Sequence, residues 1–232
     1  MTKLVRLETL SQAENFNAQV WGRVEPYLGK RVLEVGMGIG IFTERLLAGR
    51  ELVVGVELVA EFLDAARERL SGRPGLEMHQ ADMGAGIPSF LADRTFDTIV
   101  CMNVLEHIED DERTLRDFRT LLAPGGRLVL VVPQYPWLYN GLDSNDGHFR
   151  RYTRADLRAK LERAGLPVEA TGQFNMTAIA GWFVNGTLLG RKDLPTGQMK
   201  LYDVLAPLLF RLEALIGPPL GLSLLMTAVR PR

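Results

Sequence analysis

The run Val32-Leu33-Glu34-Val35-Gly36-Met37-Gly38-Ile39-Gly40 sets one carboxylate and three alternating glycines at the end of an apolar, strand-like segment. Alternating glycines let the chain turn sharply and bring backbone N–H groups against a ligand with no Cβ in the way. The spacing is E-x-G-x-G-x-G. A pyrophosphate-binding G-x-G-x-x-G would need a glycine at position 41, where the chain has Ile41. Charge points the same way, because Glu34 would repel a pyrophosphate and attract the ammonium and sulfonium groups of an amino-acid-bearing ligand, often through water. Glu57 ends the next apolar run, where a carboxylate can accept hydrogen bonds from both hydroxyls of a ribose; the alternative is an exposed strand-end acid.

Three histidines are candidates for proton transfer, since imidazole changes charge near neutral pH. His79 sits inside a strand-like run and reads as structural. His107 follows a longer apolar run and is a candidate either for proton transfer or for support of a pocket. His148 lies in a Pro/Tyr/Gly/Asp-rich loop just before Arg150-Arg151-Tyr152, where it is a candidate base or a solvated, capping loop residue. Arg150 and Arg151 could grip a carboxylate or phosphate bidentately, or form surface salt bridges. No pair of histidines has metal-ligand spacing, so no metal site is expected.

These residues need a scaffold that holds strand ends side by side. Short Val/Leu/Ile-rich runs predict strands at Arg31 to Val35, Leu52 to Glu57, Leu76 to Gln80, Phe96 to Met102 and Arg127 to Val132. Helical patterns lie between them, at Ile41 to Ala48, Val59 to Leu70 and Asp110 to Leu122, and Ser11 to Leu28 reads as one helix ahead of the first strand. Such alternation predicts a parallel sheet with crossover helices on both faces. Thr153 opens a further helix carrying Leu157 and Leu161, followed by a sixth strand at Val168 to Phe174 and a seventh at Leu222 to Val229. Between the last two lies a helical insertion, about 175–219, far longer than a hairpin requires. Its stripe of Leu201, Val204, Leu205, Leu208, Leu209, Leu212 and Ile216, interrupted by Pro207, reads first as core or an oligomer interface. A cap over an apolar acceptor comes next, and peripheral membrane contact last.

The glycine motif resembles that of class I S-adenosylmethionine-dependent methyltransferases, and the resemblance runs from about residue 30 to residue 133 through further motifs in the same order. They are Ala81-Asp82-Met83, then Phe96-Asp97-Thr98-Ile99-Val100-Cys101-Met102-Asn103-Val104-Leu105-Glu106-His107, then Leu122-Ala123-Pro124-Gly125-Gly126-Arg127-Leu128. It implies a Rossmann-like, seven-stranded, mostly parallel sheet whose last strand is antiparallel, in one domain. Residues 1–29 would form a helical cap, 30–133 the cofactor-binding core, and 134–232 the acceptor-side half.

The implied cofactor is S-adenosylmethionine. Glu34, Gly36, Met37, Gly38 and Gly40 would surround its methionine portion, Glu57 and Leu58 its ribose, Asp82 and Met83 its adenine, with Asn103 at the end of the fourth strand. Met37 stands where many relatives carry Cys, Ser or Ala. Asn15, Phe16 and Asn17 lie on the helix that in many relatives closes over the cofactor. The Gly-His-Phe-Arg-Arg-Tyr-Thr run resembles a bacterial branch that modifies small molecules or sugar- and lipid-linked intermediates. The implied reaction is methyl transfer by in-line displacement, chiefly to oxygen, with His148 and His107 as candidate catalytic residues and Arg150, Arg151 and Tyr152 as candidate acceptor-binding residues. The alternative is a cofactor-binding partner or regulatory subunit without its own activity.

Composition bounds these readings. With 232 residues and 47% hydrophobic content, the chain can bury a substantial single core. Lysine plus arginine number 27 against 28 acidic residues, so there is no overall positive field to hold a nucleic-acid backbone, and none is expected as a partner. The single cysteine, Cys101, cannot form an internal disulfide, and the N-terminus lacks the apolar run of a secretory signal; both make the cytoplasm the expected location.

Overall fold

A computed structural model describes residues 3–217 and 220–232. Seven strands form one sheet: β1 (Arg31–Val35), β2 (Leu52–Glu57), β3 (Leu76–Gln80), β4 (Phe96–Met102), β5 (Leu122–Pro133), β6 (Val168–Phe174) and β7 (Ser223–Val229). Their spatial order is β3-β2-β1-β4-β5-β7-β6, and β7 runs antiparallel to both its neighbours while the first five strands are parallel. The order reverses at β1, so the crevice between the carboxyl ends of β1 and β4 is where a ligand is expected in such a sheet.

Burial on both sides explains the continuous apolar runs of the central strands. Ile99, Val100 and Cys101 of β4 and Leu128, Val129 and Leu130 of β5 are wholly buried between two layers of helices. On one face, helix α5 (Asp111–Leu121) turns Leu115, Phe118 and Leu121 into the core. Its start is fixed by Asp110, which accepts the Arg113 N–H, and by Asp111 and Glu112 in the positive first turn. The opposite face is covered by α2 (Glu14–Val24) and by α9 (Thr196–Ile216), through Val20, Val24, Ala206 and Phe210.

The strand boundaries agree with the expected ones within a residue, except that β5 begins at Leu122, because Leu122 pairs with Phe96 before the register shifts at the Ala-Pro-Gly-Gly segment. The helix expected over Ser11 to Leu28 is α2, continued by a 3-10 turn at Glu25–Tyr27, and a separate helix that was not expected, α1 (Lys3–Ser11), precedes it across a break at Gln12 and Ala13. The break lets α1 swing over the carboxyl ends of the strands while α2 stays on the sheet.

In the insertion, the leucine stripe is not core. Ala206, Phe210 and Glu213 are the buried side of α9, whereas Leu201, Val204, Leu205, Leu208, Leu212 and Leu215 are exposed, Leu209 is half-buried, the side chain of Ile216 lies outside the described residues, and the helix passes through Pro207 unbroken. Two inward acids fix that orientation: Asp203 accepts the Phe16 N–H at 2.8 Å, and Glu213 accepts the N–H groups of Asn175, Met176 and Thr177. No helix among the described residues is long and apolar enough to cross a membrane.

Phe118 is wholly buried between α5 and the sheet. Phe118→Ala should cost about 3–5 kcal/mol of unfolding free energy in urea titrations; a loss below about 1 kcal/mol would contradict this packing.

Candidate functional site

The loop leaving β1 is bent by three glycines with left-handed backbone, at φ 72° for Gly36, 55° for Gly38 and 79° for Gly40. Gly36 and Met37 both donate to the Val56 carbonyl, at 2.8 and 3.1 Å, which pins the loop to the end of β2. Met37 is buried, with its sulfur filling the space a side chain at Gly55 would take. Beside Gly38 the nearest atom to an added Cβ would be Leu7 of α1, 3.7 Å away, so among the described residues the N-terminal helix roofs the outer side of this glycine.

Glu57 closes the loop from β2. One carboxylate oxygen accepts the Gly38 N–H at 2.8 Å and the other the Val59 N–H at 2.9 Å. A carboxylate has about four acceptor positions, so roughly two stay available to hydroxyl donors. Leu58, next in sequence, is 57% exposed at the cavity rim. Glu34 is buried beneath the loop and accepts the Thr43 hydroxyl at 2.6 Å. Burial raises its pKa to about 8, opposed by the Thr43 bond and assisted by the nearby Glu57 charge. Past β3, Asp82 accepts the Gly84 N–H while Met83 is buried beside it. Past β4, Asn103 is held at φ 53° with its N–H on the Val131 carbonyl at 2.7 Å, a left-handed conformation of the kind that clusters at functional sites.

The expected cofactor-binding residues, all except Gly40, line one cavity of about 530 Å³, which Lys3, Arg6 and Leu7 of α1 and Phe16 and Asn17 of α2 also border. Gly40 faces away from it, against Leu70 and Ala66 of α4 (Ala60–Leu70), where a side chain would not fit. Asn15 lies outside the cavity too, its amide directed to Asp203.

The same cavity is also lined by Glu106, His107, Asp146, His148, Arg151 and Trp182. His107 and His148, 41 residues apart, meet edge to face with ring centroids 4.6 Å apart, because the Phe149 N–H bonds the Glu106 carbonyl and draws the loop against the end of β4. The short helix α6 (Gly141–Asp146) presents this loop. Asn140 and Asp143 form a reciprocal capping box at its start, and Gly147 ends it in the left-handed conformation at φ 91°. Asp143, wholly buried, stands 2.9 Å from His148 Nδ1 and accepts Arg151 Nε at 2.8 Å. Burial works to raise the Asp143 carboxyl, but the His148 and Arg151 contacts outweigh it and hold the group below the usual range.

Glu106 is fully buried, and neither carboxylate oxygen has a hydrogen-bond partner on another residue. Burial pushes it up to about 7, against the pull of His148 and Arg151. Burial, with His148 beside it, lowers His107 to about 4. Glu106, His107 and His148 bring one donor atom each within 4.8 Å of one another, a proximity that spacing along the chain does not show. His79 stacks on Phe90 at 4.1 Å, away from the cavity.

Two of the three expected acceptor-binding residues do not line the cavity. Tyr152 is wholly buried with its hydroxyl bonded to Asp111 and the Leu105 carbonyl, and Arg150 is paired with Asp111 at 2.8 Å. Arg151 does line it, yet its guanidinium is 1% exposed, paired with Asp143 and stacked 4.6 Å from the Trp182 ring. Glu106 and Asp143 were not anticipated; the Glu-His pair after β4 was the one signal in the sequence that could have pointed to Glu106.

A family model described as "Methyltransferase domain" matches residues 33–130, the segment that carries the loop, Glu57, Asp82 and the Glu106-His107 pair. The matched segment spans less than half of the chain and is what the chain shares with that family. The chain is 33% identical over 102 residues to a ubiquinone biosynthesis O-methyltransferase of Aeromonas salmonicida, a match covering 44% of this chain and 42% of that protein. The protein of the same name in Xanthomonas euvesicatoria is 30% identical over 159 residues, covering 61% and 64%. The chain thus spans less than two thirds of these relatives' length. The crystal structure of an S-adenosylmethionine-dependent methyltransferase from Mesorhizobium loti has the same fold, with a TM-score of 0.65 and 19% identity over 90% of this chain and 97% of that one.

S-adenosylmethionine is the cofactor that the methyltransferase-domain match points to, and the donor set fits it. A roofed loop of left-handed glycines offers room for backbone approach, Glu57 has acceptor capacity left over, and Glu34 is a buried carboxylate whose charge a cationic ligand would satisfy.

The raised Glu34 pKa has a consequence for the ligand-free protein. The folded chain keeps a proton there that the unfolded chain releases, so the associated stability is present at low pH and is lost as pH rises through about 8. Glu34→Gln should therefore raise the melting temperature relative to the parent near pH 8.5 and change it little near pH 5. Equal shifts at both pH values in thermal unfolding would refute the assignment.

Proposed function

We propose that this protein transfers a methyl group from S-adenosylmethionine to a hydroxyl of a small or lipid- or sugar-linked molecule. The observation that carries this reading is the single cavity, with Glu34, Glu57, Asp82 and Met83 at one end and the unpartnered Glu106 carboxylate beside His148 at the other. In the proposed arrangement Gly36, Met37 and Gly38 face the methionine portion, Glu57 and Leu58 the ribose, and Asp82 and Met83 the adenine. Gly40 acts from behind, letting the loop pack on α4.

When bound, S-adenosylmethionine supplies a methyl group on a sulfonium, so that the acceptor's C–O bond forms as the methyl–sulfur bond breaks and sulfur keeps the electron pair. What the chain must add is alignment of the acceptor and a place for its proton. Of the two imidazoles at the acceptor end, His107 is held too low, at about 4, to be an effective base at neutral pH, and its Nδ1 faces the Gly147 carbonyl. His148 takes that role here, and His107 and Glu106 form the wall around it. The relatives' names, which specify O-methylation, support an oxygen acceptor. Trp182, from α8 (Ala178–Trp182), brings the insertion to the same end of the cavity and supports its reading as part of the acceptor enclosure.

Glu57→Ala should weaken S-adenosylmethionine binding about 10- to 100-fold by calorimetry, the scale of losing hydrogen bonds to a charged group; an unchanged affinity would remove Glu57 from the site. The activity is tested by incubating protein with cell extract and isotopically labelled methyl donor and identifying the labelled product by mass spectrometry. His148→Ala should slow label transfer about 10²- to 10⁴-fold while cofactor affinity is kept. Tight cofactor binding with no label transferred by the unaltered protein would favour a regulatory subunit instead.

A further inference from the structure

His148 presents one ring nitrogen to the cavity and the other to a buried carboxylate. Its Nδ1 lies 2.9 Å from Asp143 Oδ1, while its Nε2 stands 4.0 Å from Glu106 Oε1 and 3.9 Å from Asp146 Oδ2. Asp143 cannot turn away. Its Oδ2 accepts the Asn140 N–H at 3.0 Å, and its Oδ1 accepts Arg151 Nε at 2.8 Å. Arg151 is fixed in turn, since it donates to the Gln134 carbonyl at 3.1 Å and lies over the Trp182 ring. An ionised carboxylate has no proton to give, so the only hydrogen bond this contact allows is His148 Nδ1–H donating to Asp143. That choice of tautomer leaves the Nε2 lone pair directed at the cavity.

We propose that Asp143, anchored by the buried Arg151, is a positioning residue that fixes the tautomer and orientation of His148, so that Nε2 receives the proton of the acceptor hydroxyl. This rests on the reading of His148 as proton acceptor. The O–H proton passes to Nε2 while the oxygen's electron pair forms the new bond to the methyl carbon. The resulting imidazolium lies between the Asp143 and Glu106 carboxylates and returns its proton to solvent after product leaves. Asp143 touches no reacting atom. Arg151 acts through it and not on an acceptor group, which accounts for an arginine that borders the cavity with almost no exposed surface.

The tautomer is read directly by NMR of the unaltered, ligand-free protein carrying 15N-labelled histidine, near pH 8, with His148 assigned by comparison with His148→Gln. The expected result is a protonated Nδ1 and an unprotonated Nε2. A protonated Nε2, alone or with Nδ1, overturns the proposal with no other variant needed. Asp143→Asn should disturb this pattern, because an amide can satisfy only some of the donors that now converge on the carboxylate. It should slow label transfer in the extract assay about 10²- to 10⁴-fold, with cofactor affinity unchanged. A folded Asp143→Asn protein that transfers label at the parent rate also overturns it. Absence of transfer by the unaltered protein would overturn the activity itself, and is distinguishable because the tautomer is measured without acceptor.

Discussion

The site depends on one contact, the seating of the β1 glycine loop on the end of β2. The Val56 carbonyl takes two consecutive N–H groups of the loop and Glu57 takes a third, so the loop's position is set by a neighbouring strand. Parallel pairing of β1 with β2 puts Glu34 opposite Gly55 and Val35 opposite Val56, and this register brings Glu57 to the height of Gly38. A slip of one residue would turn Glu57 to the other face of the sheet and leave the loop's donors without acceptors. The glycines matter because the backbone there is left-handed, and because at Gly36 an added Cβ would lie 2.2 Å from Val104.

Much of this half of the molecule was legible in the sequence because its determinants are local. An apolar strand, its terminal acid, a glycine loop and a second strand ending in another acid occur within a few dozen residues, and parallel packing forces their ends together. The acceptor half was legible only as a neighbourhood. His148 lines the cavity, but Arg150 and Tyr152 are consumed by Asp111, and Arg151 by Asp143. Asp111 is 39 residues before Arg150, on a helix whose sequence advertises only its own capping. Pairing across such a separation follows from tertiary packing, and residue type alone cannot distinguish an arginine held by a buried acid from one that waits for a ligand.

The N-terminal segment and the insertion show a similar limit. Helical periodicity identified helices in both, but not the separate α1 that reaches over the glycine loop, and not which side of α9 is buried. That side is chosen by Asp203 and Glu213, two acids that turn inward to meet backbone N–H groups of α2 and of the segment after β6. An amphipathic pattern normally points its leucines inward. Here hydrogen bonds to unpaired backbone donors set the orientation, and the leucines are left on the outside.

Charge accounts for why the two ends of the cavity belong to one device. Glu34 and Glu106 are both buried carboxylates with raised pKa values, about 8 and about 7, and burial is the leading cause for each. In the ligand-free protein each is a burden on stability, since an isolated charge in such a place is costly and protonation relieves it only in part. A fold that retains two such groups along one cavity gains from them when partners of the right charge arrive. Under the proposed function, the ammonium and sulfonium of the cofactor would satisfy Glu34, and an imidazolium formed at His148 would satisfy Glu106. Methyl transfer would then discharge the sulfonium while proton transfer creates a cation at His148. A buried carboxylate near each end lets the cavity hold that charge both before and after the reaction.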